Sequence, residues 1–217
     1  MNGNRYLFKF FYIGENYHGS QRQLNHITIE ECIINALLNK NYIFDVGNSG
    51  FEVASRTDRY VSARGGAFSF ISKKSPILME INSVLPNDIG IWAHVKVSQD
   101  FSSRFNAEYR HYKYIVLIDS HDSNMDLDIM KKACKELEGS HDFTNFSKKE
   151  KDDVITLRDL MVARFENYKN LLIFDFKSRA FLRQQIRRMM SKILELGKNQ
   201  ISYDDFLRLF DPSKYYS

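Results

Sequence analysis

The sequence predicts an α+β fold of mainly antiparallel strands with helices packed on one side. Residues 91–97, Ile-Trp-Ala-His-Val-Lys-Val, alternate in the manner of a half-buried strand. Residues 5–13, Arg-Tyr-Leu-Phe-Lys-Phe-Phe-Tyr-Ile, form an aromatic-rich run of strand character. Between and after such runs, apolar side chains recur at helical spacing behind polar N-caps.

Taken in order, the 5–13 strand leads into a loop bracketed by Gly14 and Gly19 that ends in Ser20-Gln21-Arg22-Gln23. Thr28-Ile29-Glu30-Glu31 has the form of a capping box, and Ile29, Cys32, Ile33, Ala36 and Leu37 share one helical face. Phe51 to Ala54 is a short apolar strand. Gly65-Gly66 signals a turn or bulge before a strand over 66–71, and Leu85-Pro86-Asn87-Asp88-Ile89-Gly90 signals a turn. Phe101 to Ala107 is an irregular polar connection. Tyr109 to Ile118 is a strand with Tyr112, Tyr114, Val116 and Ile118 on one face.

In the second half Asp126 caps a helix whose apolar face is Ile129, Met130, Ala133, Cys134 and Leu137, with Gly139 beyond its end. Lys148, Lys149 and Lys151 mark a basic loop, and strands follow near 157–166 and 171–177. A helix is expected from Phe181 to Leu196, ended by Gly197, and a last one starts at Ser202 with Asp205 completing a capping box, stopping before Pro212. Residues 1–100 and 101–217 read as two halves of one continuous unit. No sequence repeat is visible between them.

The 217 residues suffice for one large domain or two small ones with a sizeable core. A hydrophobic content of 43% and a charged content of 27% are those of a soluble globular protein. A net charge of +4 permits an acidic partner such as nucleic acid without demanding one. Two cysteines, Cys32 and Cys134, both within helical patterns, provide no disulfide framework, and a reducing compartment is expected. The start lacks the apolar core of a signal peptide, and no stretch has membrane-spanning length, so a cytoplasmic protein is expected.

Three places could carry chemistry. The first is the turn after Phe51–Ala54, where Asp58 stands between Arg56 and Arg59. Positive charge on both sides favours a carboxylate's anion, which suits a nucleophile or base. An aspartate in a loop is equally suited to forming the turn itself. The second is the span from Ser178 through Leu194, which holds Arg179, Arg183, Arg187, Arg188 and Lys192 and no acid. Arg183 and Arg187, four apart on a helix, would share one face and repel unless something anionic lay there. A solvated face is the plain alternative. The missing acids favour a phosphate-contacting surface. The third is Tyr109-Arg110-His111-Tyr112-Lys113-Tyr114, which interleaves flat rings with cations and suits single-stranded or looped RNA.

Other chemistries lack support. His18, His26, His94, His111, His121 and His141 show no i,i+4 pairing or nearby ligand cysteines, so zinc is not expected. No Walker loop, dinucleotide fingerprint or nucleophile elbow occurs.

The order of the motifs resembles the TruA family of tRNA pseudouridine synthases. The resemblance runs through Tyr12 to Gln23, Ser55-Arg56-Thr57-Asp58, Asn82 to Ile89, and Phe101 to Ala107 followed by Tyr112-Lys113-Tyr114. It continues in His141 to Phe146 and in Ala180-Phe181 through Gln185 to Met189. It implies a pseudouridine synthase-like fold of two similar halves around a central cleft. It also implies isomerisation of uridine to pseudouridine in the tRNA anticodon arm, as a homodimer, without cofactor or metal. Asp58 would be the essential carboxylate, Tyr112 would pack against the target base, and Arg187 would pair with Asp58. Arg56 would enter the space left by the displaced base, with Arg110, Arg183 and Arg188 as further RNA contacts. The sequence departs from the family's usual pattern at Ser55, at Ser20 where a tryptophan is usual, and at Arg59-Tyr60-Val61-Ser62. Family members tend to continue past the last helix into a closing strand with a Gly-Leu pair; with Tyr215-Tyr216-Ser217 at the end of this sequence, that strand is expected to be absent or supplied otherwise. The same cleft could serve an RNA-binding module without turnover. Retention of Asp58, Tyr112 and Arg187 together favours the enzyme.

Overall fold

The computed structural model describes residues 3–119, 124–148 and 155–214; His121, Lys149, Lys151 and the last three residues lie outside this set. The chain divides into two compact units, Met1–Ala107 and Glu108–Ser217. Each contains one four-stranded antiparallel sheet and its own core.

In the first unit β1 (Asn4–Tyr12) is central. It alternates so that Tyr6, Phe8, Phe10 and Tyr12 are all buried. β3 (Ala63–Ser72) pairs along one side of β1 and β4 (Ile89–Val97) along the other, while the two-residue β2 (Glu52–Val53) pairs with β3. The order is β2-β3-β1-β4, the arrangement of a split βαβ unit. α1 (Ile29–Asn39) lays Ile29, Ile33, Ala36 and Leu37 onto the aromatic face. There Phe8 stacks between Phe68 and Phe70, with ring centroids 5.0 and 4.9 Å apart.

Only half of the expected capping box forms at α1. Thr28 Oγ1 accepts the Glu31 amide at 3.4 Å, whereas the neighbouring Glu30 carboxylate is turned back to accept the Arg22 amide at 3.0 Å. Gly65 and Gly66 lie inside β3, and the bulge signal is realised there: Phe10 pairs with Gly66 and Tyr12 with Ala63, which leaves one extra residue on β3. A methyl group at Gly66 would meet the Phe10 ring at 2.6 Å. The short α2 (Leu78–Asn82) has no counterpart among the sequence expectations. Five residues behind an isoleucine rather than a polar cap carry no helical signature.

In the second unit β5 (Arg110–Leu117) is an edge strand beside β8 (Leu171–Ser178), followed by β7 (Leu157–Tyr168) and β6 (Gly139–Asp142). Phe174, Phe176 and Leu172 of β8 face α3 (Leu127–Leu137) and α4 (Gln185–Gly197) through a core that includes Met130, Met189 and Ile193. Asp126 caps α3 by accepting the Ile129 amide at 2.9 Å. Gly139 beyond its end has φ +94. The expected capping box of α5 (Tyr203–Arg208) is complete, Ser202 and Asp205 each accepting the other's backbone amide.

α4 begins at Gln185, four residues later than the sequence pattern suggests. Gln184 adopts left-handed φ 58, and the buried Gln185 side chain accepts the Leu182 amide at 2.7 Å. Arg183 therefore lies in the turn before the helix, and the expected stacking of Arg183 with Arg187 on one helical face is not realised. Among the described residues no helix is long and apolar enough to cross a membrane.

Phe8 is fully buried at the centre of the first unit's aromatic stack. Phe8→Ala is expected to lower unfolding stability by about 3–5 kcal/mol, measured by chemical denaturation.

Candidate active site

Asp58 sits in an exposed turn between β2 and β3, with Arg56 exposed two residues before it. The Val61 amide closes the turn onto the Asp58 carbonyl at 3.3 Å, and Tyr60 takes φ +69. The Arg59 guanidinium lies over the Tyr60 ring, 4.4 Å from its centroid.

The turn is set against the loop that follows β1. Ser20 donates its amide to the Thr57 carbonyl at 3.0 Å, and Ser20 Oγ accepts the Thr57 amide at 2.7 Å. Tyr12 Oη is 2.7 Å from Thr57 Oγ1. Gly19, at φ +92, backs directly onto Thr57 and Asp58; a methyl group there would stand 2.9 Å from the Thr57 carbonyl oxygen. Gly14 is pressed in the same way against the Val61 backbone, and its amide donates to Ser62 Oγ at 2.9 Å. Beside the turn His18 stacks on His26 at 4.2 Å. Burial, then the nearby Arg59 and His26, hold the His18 imidazole below its usual value.

The loop is itself anchored. The Tyr17 hydroxyl donates to the Asp88 carboxylate, and Asn16 reaches the same carboxylate at 3.3 Å. Burial first, then this hydrogen bond, raises the Tyr17 phenol well above its ordinary range. The amides of Ile29 and Glu30 donate to the carbonyls of Gly19 and Ser20, which ties the start of α1 to the same loop. Asn82 docks on β4, accepting the Ile91 amide at 2.9 Å and donating to its carbonyl at 2.8 Å. Glu52 accepts from Ser102 Oγ at 2.8 Å and holds the Phe101–Ala107 connection to β2.

In the second unit Tyr112 is half-buried near the start of β5, its ring edge-on to Phe181 at 5.3 Å. Arg110, at the head of the strand, donates to the Arg179 carbonyl. Arg187 and Arg188 occupy the first turn of α4, which contains no acid. Arg183 and Arg187 are exposed and Arg188 is half-buried. Two arginines at the positive end of a helix dipole make that end strongly electropositive.

The interleaved tyrosines and cations of β5 do not form one stacking platform. Tyr112 and Tyr114 fall on the face that packs into the core, while His111 and Lys113 point to the other face. There both are engaged by Asp175 of β8, at 2.7 and 2.8 Å. Burial would raise the Asp175 carboxyl, but hydrogen bonds from Lys113 and His111 outweigh it and hold the group below its ordinary value. Asp175 carries no signal in the sequence, because its partners are 62 and 64 residues away.

The His141–Phe146 motif is structural. Asp142 accepts the Thr144 amide at 2.8 Å, Phe143 and Phe146 are fully buried, and Asn145 Nδ2 faces the carbonyls of Leu209, Asp211 and Lys214 at 3.0–3.1 Å. No group of three or more His, Cys, Asp or Glu side chains that could hold a metal occurs among the described residues.

An acid-free arginine cluster at a helix start, with the half-buried Tyr112 against Phe181 just ahead of that helix, is suited to an RNA-directed protein. The family model for tRNA pseudouridine synthase matches residues 133–217. A tRNA pseudouridine synthase A from Archaeoglobus fulgidus is 36% identical over 211 residues, covering 97% of this chain and 76% of the relative. One from Methanothermobacter thermautotrophicus is 34% identical, covering 95% and 73%. The chain belongs to the TruA family of tRNA pseudouridine synthases, a family of isomerases.

The depressed Asp175 carboxyl implies a pH-dependent contribution to stability. A lowered folded-state value stabilises above the unfolded value and is lost as pH falls through the lowered one. Asp175→Asn is expected to cost about 1–2 kcal/mol at pH 7, the gap to wild type narrowing below about pH 4, followed by denaturation at a series of pH values.

Proposed function

We propose that this protein isomerises uridine to pseudouridine in the anticodon stem-loop of tRNA, with Asp58 as the essential carboxylate. Membership of a pseudouridine synthase family carries the reading. It is supported by the exposure of Asp58 on a turn whose neighbours on both sides are pinned.

The reaction breaks the N1–C1′ bond of uridine, turns the base, forms a C5–C1′ bond, and exchanges the C5 proton for one on N1. No atoms are added and no electrons are lost, so neither a cofactor nor a metal is required by the stoichiometry. Asp58 provides the anion that attacks the nucleotide covalently or assists glycosidic cleavage. The target base has to leave its stack to be reached, and the ring of Tyr112 replaces part of the stacking it loses. By the family resemblance Arg187 would be the cation that pairs with Asp58. Arg56 occupies the space the base vacates, and Arg110, Arg183 and Arg188 contact the RNA backbone. The protein works in the cytoplasm as a homodimer, residues 1–100 supplying Asp58 and residues 101–217 supplying Tyr112 and Arg187.

Pseudouridine formation in unmodified tRNA transcripts, mapped by position, tests this reading. Asp58→Ala is expected to lower turnover by at least about a thousandfold while leaving tRNA affinity within a few fold. Turnover retained in Asp58→Ala would overturn the assignment, and modification only outside the anticodon arm would overturn the choice of substrate region.

A further inference from the structure

We infer that Ser20 is a positioning residue for the reaction, holding Asp58 in place through Thr57. The inference rests on the reading of Asp58 as the essential carboxylate. Ser20 is buried, with 6% of its surface exposed, in a loop whose next three residues are exposed. Its amide and its hydroxyl are both used on the same peptide neighbourhood: the amide on the Thr57 carbonyl at 3.0 Å, the hydroxyl oxygen on the Thr57 amide at 2.7 Å. This two-bond pairing fixes the residue immediately before Asp58 on both sides of its α-carbon. Tyr12 Oη adds a third point at Thr57 Oγ1, 2.7 Å away, from within the β1 core face. Gly19, without a side chain, lets the two backbones approach.

The other end of the clamp is rigid. The Ser20 carbonyl accepts the Glu30 amide at 3.0 Å in the first turn of α1, and α1 is seated in the core by Ile29 and Ile33. Asp58 follows Thr57 directly, so a shift of the Thr57 backbone carries the α-carbon of Asp58 with it. A serine is suited to this role because its short hydroxyl reaches a neighbouring amide without a cavity or a long flexible arm.

Removing Ser20 Oγ leaves the Thr57 amide without this acceptor and frees the turn. An ångström-scale shift of a reacting group is enough to slow the chemical step. Ser20→Ala is therefore expected to lower the single-turnover rate of pseudouridine formation about tenfold, with tRNA affinity within about twofold of wild type. Ser20→Thr retains the hydroxyl and is expected to recover most of that rate. Asp58→Ala is measured alongside. Ser20→Ala at the wild-type rate, with Asp58→Ala inactive, overturns the positioning role and leaves the function standing; an active Asp58→Ala overturns both. Equal losses in Ser20→Ala and Ser20→Thr assign the effect to packing and overturn the proposal. Should Ser20→Ala fail to fold, Ser20→Gly keeps the amide and removes the hydroxyl, and a wild-type rate there also overturns it.

Discussion

The close approach of the loop after β1 to the Asp58 turn is the constraint on which the first unit's candidate site depends. Two backbones come together where Gly19 and Gly14 carry no side chains, and Ser20 stitches them by its amide and hydroxyl. Everything around the contact keeps that loop in place. Asp88 takes the Tyr17 hydroxyl, α1 donates its first amides to Gly19 and Ser20, and the aromatic stack of Phe8, Phe68 and Phe70 seats the strands from which both loops spring. An exposed carboxylate gains a defined position this way without being buried, and so without the cost of desolvating its charge.

The second unit solves a related problem with charge. Its first helical turn after Gln184 contains Arg187 and Arg188 and no acid, a combination that opposes the helix dipole. Such an arrangement is sustained when the scaffold beneath is firm. Here Gln185 is buried and supplies a side-chain acceptor to the Leu182 amide, while Met189, Met190 and Ile193 anchor the helix. On the other face of the sheet, Asp175 of β8 engages both Lys113 and His111 of β5. The exposed His111 and Lys113 of β5 thus share one carboxylate, while Arg183 and Arg187 are exposed around the start of α4.

Several motifs that look alike in the sequence differ in purpose. Asn82 and Asn145 satisfy backbone groups of β4 and of the chain's later residues, and Asp88 and Asp142 hold loop geometry. Asp58 differs from them in being exposed on its turn. Asp88 and Asp142 are half-buried where Asp58 is exposed, a difference no motif match could draw.

What the sequence determined by itself is what short-range physics encodes. The period-2 pattern of β1 and β5, the 3.6-residue pattern of α1 and α3, and the caps at Thr28, Asp126 and Ser202 all act within a few residues. The chemical candidates were legible too, since Asp58 between arginines and the acid-free run around Arg187 are local features of composition. Tertiary structure alone decided the start of α4, where a left-handed Gln184 displaced Arg183 from the helix. It also decided that Lys113 and His111 serve Asp175, and that Ser20 serves Thr57. Those partners lie 37 to 64 residues apart, and hydrogen bonds act over about 3 Å of space. Only a folded backbone brings such residues within reach.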